Sequence, residues 1–308
     1  MTISGEVAQV NMSGNSTANI DGILSVGAGG IRGPNYGNAL ITGGALTSSS
    51  GKVDIGITGD WPGSTTIIRS RIVDSEKRSV GVYIHGEVWG SSPDGKSYGV
   101  VYMEGAGDNT FTGDVVVEGK NELSLRWAGR AVQGNIYAID KGVILSHRSG
   151  QIGENSTVTL REDGSAFGFH TAASNQVKES FHQLAVEGGS SVLTFSLTRP
   201  DEFKGQRDIF LDDLRIEEGA SLRVENWKEG FSRLLVRKDS EHLQESLGRL
   251  EFLGYRKGGE LKEYNKDYWE ISGLPEPATC GALFGILGFG LIVWRKRQQT
   301  CRTINEGP

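Results

Sequence analysis

Val115-Val116-Val117-Glu118-Gly119, followed by Leu123-Ser124-Leu125, is the stretch from which the architecture is read. Apolar residues alternate on either side of a charged residue and a glycine. Alternation with a period of two marks a strand with one buried face, and the charge–glycine pair marks a turn. The pattern returns as Leu184-Ala185-Val186 with Glu187-Gly188 before Val192-Leu193-Thr194-Phe195, and as Leu214-Arg215-Ile216 with Glu218-Gly219 before Leu222-Arg223-Val224. Lys141-Gly142 and Asp163-Gly164 mark the units between, so the glycines stand 23, 22, 24 and 31 residues apart. Asp94-Gly95 lies 24 residues upstream of Gly119. One such unit cannot bury its own apolar residues, and stacking on neighbours solves the problem. The expected fold is therefore all-β: a parallel β-solenoid (β-helix-like) body with a short C-terminal transmembrane helix. A β-sandwich with hairpin turns is the alternative. Tryptophans at nearly every level (Trp61, Trp89, Trp127, Trp227) serve as core or edge packing in either fold.

Upstream, Val7 to Ile57 is poor in charge and rich in Gly, Ser, Asn and Thr, which reads as short strands and turns. Alternation is clearer from Thr66 to Val73. Runs from Val80 to Trp89 and from Tyr98 to Met103 bracket the turn Ser92-Pro93-Asp94-Gly95-Lys96. Beyond Trp227 the pattern changes: Ser240 to Leu247, stopped by Gly248, predicts a short helix, Leu250 to Tyr255 a strand, and Arg256 to Ile271 a loop.

The chain of 308 residues contains 45 Gly but only 7 Pro, as befits a turn-rich β protein rather than a collagen-like one. Its net charge of −6 is uneven. Arg295, Lys296, Arg297 and Arg302 against Glu306 give the end of the chain +3, and Ala278 to Trp294 is uncharged, so the body carries −9. An acidic body argues against general nucleic-acid binding, which depends on neutralising phosphates. Both cysteines, Cys280 and Cys301, lie in the tail, so no disulfide staples the body.

The tail reads Leu274-Pro275-Glu276-Pro277, then the uncharged run Ala278 to Trp294, then Arg295-Lys296-Arg297. Seventeen helical residues span about 25 Å, the short end of what crosses a hydrocarbon core of about 30 Å. Trp294 suits the interface, and the basic triplet is a membrane stop held on the cytoplasmic side. Gly281, Gly285, Gly288 and Gly290 weaken the helix, which favours a temporary anchor. Pro275 and Pro277 hold the residues before them extended, an accessible handle for a processing enzyme. The expected organisation is a repeat body over 1–227, the end of the stack and a spacer over 228–273, a sorting tail over 274–298 with its membrane segment at 278–294, and a cytoplasmic remainder over 299–308. Met1-Thr2-Ile3-Ser4-Gly5-Glu6 shows no export signal, so a start upstream of Met1 is expected.

Asp108-Asn109-Thr110-Phe111-Thr112-Gly113, followed by alternating valines and Gly119, resembles the autotransporter-associated β-strand repeat of bacterial surface proteins. Leu222 to Trp227 and Leu250 to Tyr255, leading into Pro275-Glu276-Pro277, are similar to the ends of PEP-CTERM proteins. The resemblance covers Tyr102 to Leu125 and Phe181 to Arg297. It implies that Pro275, Glu276 and Pro277 are recognised by exosortase, a membrane-embedded cysteine transpeptidase or protease. The bacterial membrane is then a transient partner, and the protein is released to the cell surface or to an exopolysaccharide matrix. No cofactor and no nucleic acid are expected.

Candidate chemistry in the body is sparse. Gly90-Ser91-Ser92-Pro93-Asp94-Gly95-Lys96-Ser97 has P-loop spacing, but a strand rather than a helix follows, so it reads as a surface turn. Gly27 to Gly33 lacks both the third glycine of a dinucleotide loop and the helix after it, and also reads as a turn. His85, His147, His170, His182 and His242 are isolated in sequence and show no metal-ligand spacing. Asp201-Glu202 and Asp212-Asp213 offer paired carboxylates, yet neighbours on a strand point to opposite faces, which favours solvated charges. Three functions are carried forward: an exported, non-enzymatic surface or matrix protein; a carbohydrate-active β-helix enzyme; and an adhesin or carbohydrate-binding module using exposed aromatics such as Tyr83, Trp89 or Tyr102.

Overall fold

The computed structural model describes residues 2–57, 64–86, 99–170, 176–196 and 205–274, with side chains from Gly5 onward. The P-loop-like stretch, Trp61, Trp89, Asp201-Glu202, Pro275-Glu276-Pro277, the predicted membrane segment 278–294 and Arg295-Lys296-Arg297 lie outside the described residues. The described chain is all-β, with one short helix, Leu243–Leu247, where the sequence predicts one. Its strands join in a single long sheet, and all pairings are parallel except three at the C-terminal end. This arrangement is compatible with a β-solenoid. Strands that follow each other in the chain are not hairpin partners until that end, unlike those of a hairpin-joined sandwich.

The pairings resolve each coil of the chain into three faces. Face one holds Lys52–Gly56, Gly81–His85, Val115–Glu118, Ile136–Ile139 and Thr157–Arg161, each parallel to the next. Face two holds Thr65–Ile68, Gly99–Met103, Asn121–Leu125, Val143–Ser146, Ala166–Phe169, Ser190–Thr194, Ser221–Glu225 and Leu250–Phe252. Face three is thinner at first, carried by Arg71–Ile72 and by the isolated bridge Val132–Ile152. Later it becomes full strand. Val177–Glu187 and Arg207–Ile216 each run along face three and then continue onto face one, and Ser232–Arg237 extends face three.

Register turns the alternation of the sequence into columns. Val53, Val82, Val115, Ile136, Val158, Leu184 and Leu214 stand in line on the inner side of face one, all buried. Val101, Leu123, Ile144, Phe167 and Leu193 do the same on face two. The repeated charge–glycine pairs mark the corner from face one to face two. Gly164 supplies a left-handed backbone there (φ +81°). At Gly142 the left-handed residues are Asp140 and Lys141 instead, and the glycine serves close approach, since a Cβ would overlap the Val117 carbonyl oxygen.

Where face three has little strand, buried side chains satisfy the backbone, as buried peptide groups require. Asn109 accepts from the Ile72 N–H at 2.8 Å and donates to the Ala131 carbonyl at 2.9 Å, linking three coils. Gln151 accepts from the Trp127 N–H at 2.8 Å and donates to the carbonyls of Trp127 and Gly129. Glu179, fully buried, accepts from the Ser146 hydroxyl at 2.5 Å and from the N–H groups of Gln151 and Ile152.

The loop predicted over Arg256 to Ile271 is instead two strands, Arg256–Glu263 and Tyr268–Leu274. They pair antiparallel with each other and lie against Leu250–Phe252 and Ser232–Arg237. The charges that suggested a loop point outward: Lys238 reaches Glu263 at 2.6 Å and Lys262 reaches Glu229 at 3.2 Å. Face one is closed by the helix. Ser246 Oγ accepts from the Ile216 N–H and donates to the Leu214 carbonyl, each at 2.9 Å. Antiparallel pairing and a helix both cover the edge that a parallel stack would leave open.

Candidate functional site: an arginine–histidine cleft

On face two the strand residues alternate inward and outward, and the residue just past each strand stands at the corner toward face three. In successive coils that residue is Arg69, Glu104, Arg126, His147 and His170. The backbone N–H of Glu104 donates to Ile68, that of Arg126 to Met103, that of His147 to Leu125 and that of His170 to Ser146, all within 2.8–3.0 Å. The five side chains therefore form one column, and with Gly105 and Arg148 they line an open cleft of about 440 Å³.

Neighbours in the column touch. Arg69 donates through Nε and Nη2 to Glu104 Oε1 at 2.9 and 2.7 Å. The Arg126 guanidinium lies 3.7 Å from the centre of the Tyr102 ring, a cation–π contact. Its Nε reaches His147 Nε2 at 3.4 Å, and Ser124 Oγ lies 3.1 Å from the same nitrogen. His147 and His170 stack with ring centres 4.2 Å apart. Burial, then the charges of His170, Arg126 and Arg148, press the His147 pKa down to about 3. A neutral ring whose Nε2 accepts from Arg126 Nε is the result. Such a group is a poor proton acceptor near pH 7, where a general base works best with a pKa close to the ambient pH. Arg126 and Arg148 form no ion pair with a described residue. With Arg69 and Glu104 cancelling, the cleft keeps two positive charges on an otherwise acidic body.

A second cleft, about 290 Å³, lies on the corner between faces three and one. Here the sequence reading of Asp212-Asp213 is overturned: both carboxylates line the same cleft. The inward residues run Arg207, Ile209 and Leu211, then Leu214 and Ile216, so the alternation slips by one at the corner and turns both aspartates outward. Asp212 pairs with His182 at 3.2 Å. Asp213 accepts from Ser240 Oγ at 2.5 Å and from Gln183 Nε2 at 2.7 Å, and pairs with His242 Nδ1 at 2.7 Å. Burial acts to raise the Asp213 pKa, but these hydrogen bonds outweigh it and hold the group at about 2. Asp213 thus ties the segment before the closing helix to the stack. Its stability contribution is complete above pH 3.8 and is lost as pH falls through about 2. Asp213→Asn is expected to cost roughly 1–2 kcal/mol at pH 7 and to remove that acid-dependent loss, as read from urea unfolding at several pH values.

The histidines are not isolated in space. Besides the stacked pair and those bound to Asp212 and Asp213, His85 lies 2.9 Å from Asp54. No group of three or more His, Cys, Asp or Glu suited to a metal occurs among the described residues. Gly27 to Arg32 is not a separate turn but part of the strand Ser16–Arg32, which rounds a corner at Gly30. Tyr83 and Tyr102, expected as open aromatic platforms, are half-buried and covered by cations, Lys52 over Tyr83 and Arg126 over Tyr102. Trp127 is buried core, and Trp227 packs on Phe252 and Tyr255. The cleft's residues did carry a sequence signal. Glu104, Arg126, His147 and His170 are 22, 21 and 23 residues apart, the interval of the turn glycines. No family model, no curated protein and no solved structure matches the chain.

Proposed function

We propose that the chain is an exported, non-enzymatic β-solenoid protein of the cell surface or extracellular matrix, sorted through its tail by exosortase after transient anchoring in the membrane. The observation that supports this reading is the way the C-terminal end of the stack is closed. Tyr268–Leu274, the last strand among the described residues, closes the end of the stack, and Pro275-Glu276-Pro277 comes next in the sequence. In sequence, the recognition peptide that the resemblance implies follows directly on the strand that closes the stack. No helix among the described residues is long and apolar enough to cross a membrane; in this reading the uncharged run 278–294 is the anchor. Mass spectrometry of the mature protein tests the proposal. Loss of the residues beyond the Pro275-Glu276-Pro277 region is expected in cells with active exosortase, and an intact C-terminus there overturns it.

The arginine–histidine cleft favours one companion reading, a carbohydrate-binding adhesin carried on the same scaffold. It also supplies the clustered charge that a carbohydrate-active enzyme needs, but the neutral, weakly basic His147 suits binding better than proton abstraction.

A further inference from the structure

We propose that the cleft lined by Arg69, Arg126, Arg148, His147 and His170 binds a linear carboxylated polysaccharide laid along the axis of the stack. The proposal names a ligand for the adhesin reading and rests on the cleft, independently of the sorting tail.

Direction comes from the column. Its residues occupy five successive coils, and with neighbouring strands about 4.8 Å apart the column is about 19 Å long. A ligand that contacts it throughout must be extended, as a chain of sugar rings is. Charge comes from Arg126 and Arg148, which form no ion pair with a described residue. A planar guanidinium presents paired N–H donors that match a carboxylate. Arg126 is also held in place, with one face on Tyr102 and its Nε on His147, so little side-chain freedom remains to be lost on binding. The stacked imidazoles of His147 and His170 add a flat, half-buried surface at the other end of the column.

The same observations disfavour nucleic acid. Duplex DNA brings a charge about every 1.7 Å, far denser than two unpaired guanidiniums answer, and the body around them carries net negative charge. A uronate chain, with one carboxylate per sugar, matches the sparse positive charge.

The test is calorimetric titration of the folded full-length protein with hexagalacturonate, with cellohexaose as the neutral counterpart and a single-stranded DNA oligomer of equal charge as the rival. Hexagalacturonate is expected to bind, cellohexaose not to, and added salt to weaken the complex. Arg126→Gln and Arg148→Gln are each expected to lower affinity about tenfold or more, the effect of losing a hydrogen bond to a charged group. Arg148 is exposed, so Arg148→Gln reports on binding rather than folding. Lys257→Gln on the closing strands serves as a control and should leave affinity unchanged. Equal binding of cellohexaose, tighter binding of DNA, or affinity unaltered in both arginine variants overturns the proposal. Unsaturated uronate product in the cell would sustain the site while overturning the non-enzymatic reading, and a protein with an intact C-terminus that still binds would leave the site standing without the sorting route.

Discussion

Trp127→Ala is expected to destabilise the protein by about 3–5 kcal/mol, the cost of emptying a large aromatic site in a packed interior. The side chain is fully buried, and its indole N–H donates to the Gly107 carbonyl. Gly105 has no side chain because the ring occupies the space a Cβ would need. The backbone of Trp127 is fixed as well, through both ends of the Gln151 amide, so the surrounding coils have little freedom to collapse into the cavity. Trp127→Phe should cost about half as much, keeping most of the apolar area while leaving the Gly107 carbonyl unpaired. Urea unfolding gives the difference, and hydrogen exchange should show the loss of protection centred on Gly105–Asp108 and Gln151. A cost below about 1 kcal/mol would mean that Trp127 is not packed as described.

Glu179 should give the chain an unusual response to pH. Burial pushes its pKa up from 4.5 to about 7, and the hydrogen bonds from Ser146, Gln151 and Ile152 only partly offset that push. The folded state therefore holds a proton that the unfolded chain releases between pH 4.5 and 7. The Glu179 contribution to stability is complete below pH 4.5 and falls as pH rises to about 7, by about 3 kcal/mol for a shift of this size. Gln resembles the protonated acid in shape and charge. The stability of Glu179→Gln relative to the parent should therefore improve by about 3 kcal/mol between pH 4.5 and 7.5, then stay level. His147, held neutral in the fold, acts in the opposite direction from about pH 6.5 down to 3, and it cancels in this comparison because both proteins contain it. Measuring the midpoint of urea unfolding across that range decides the matter, and a constant difference would place Glu179 outside the buried seam.

The two predictions differ in how far the sequence anticipates them. A core or edge place for Trp127 follows from apolar alternation and the spacing of the units. Glu179 offers no such sign, because a carboxylate beside Lys178 has the composition of an exposed strand face. It is inside because Val177–Phe181 runs on face three with its odd-numbered residues inward. The same holds for Arg256–Glu263, whose exposed charges suggest a loop although the segment is a paired strand. Composition cannot distinguish a charged loop from a charged outer face when the strand's partners are unknown.

The all-β character, the stacking period and the turns at the charge–glycine pairs are legible in the sequence. These depend on neighbours a few residues away, through period-two alternation and backbone conformations that glycine adopts at little cost. Which side chains meet depends on how the coils pair. Lateral neighbours are set by the length of each coil, and coils differ: Arg69 to Glu104 is 35 residues, whereas Glu104 to Arg126 is 22. A column such as Arg69–Glu104–Arg126–His147–His170 becomes visible when strand pairing absorbs those differences. The pairing of Asp212 with Asp213 on one cleft likewise required the bend at the corner, where a strand stops alternating and both neighbours turn outward.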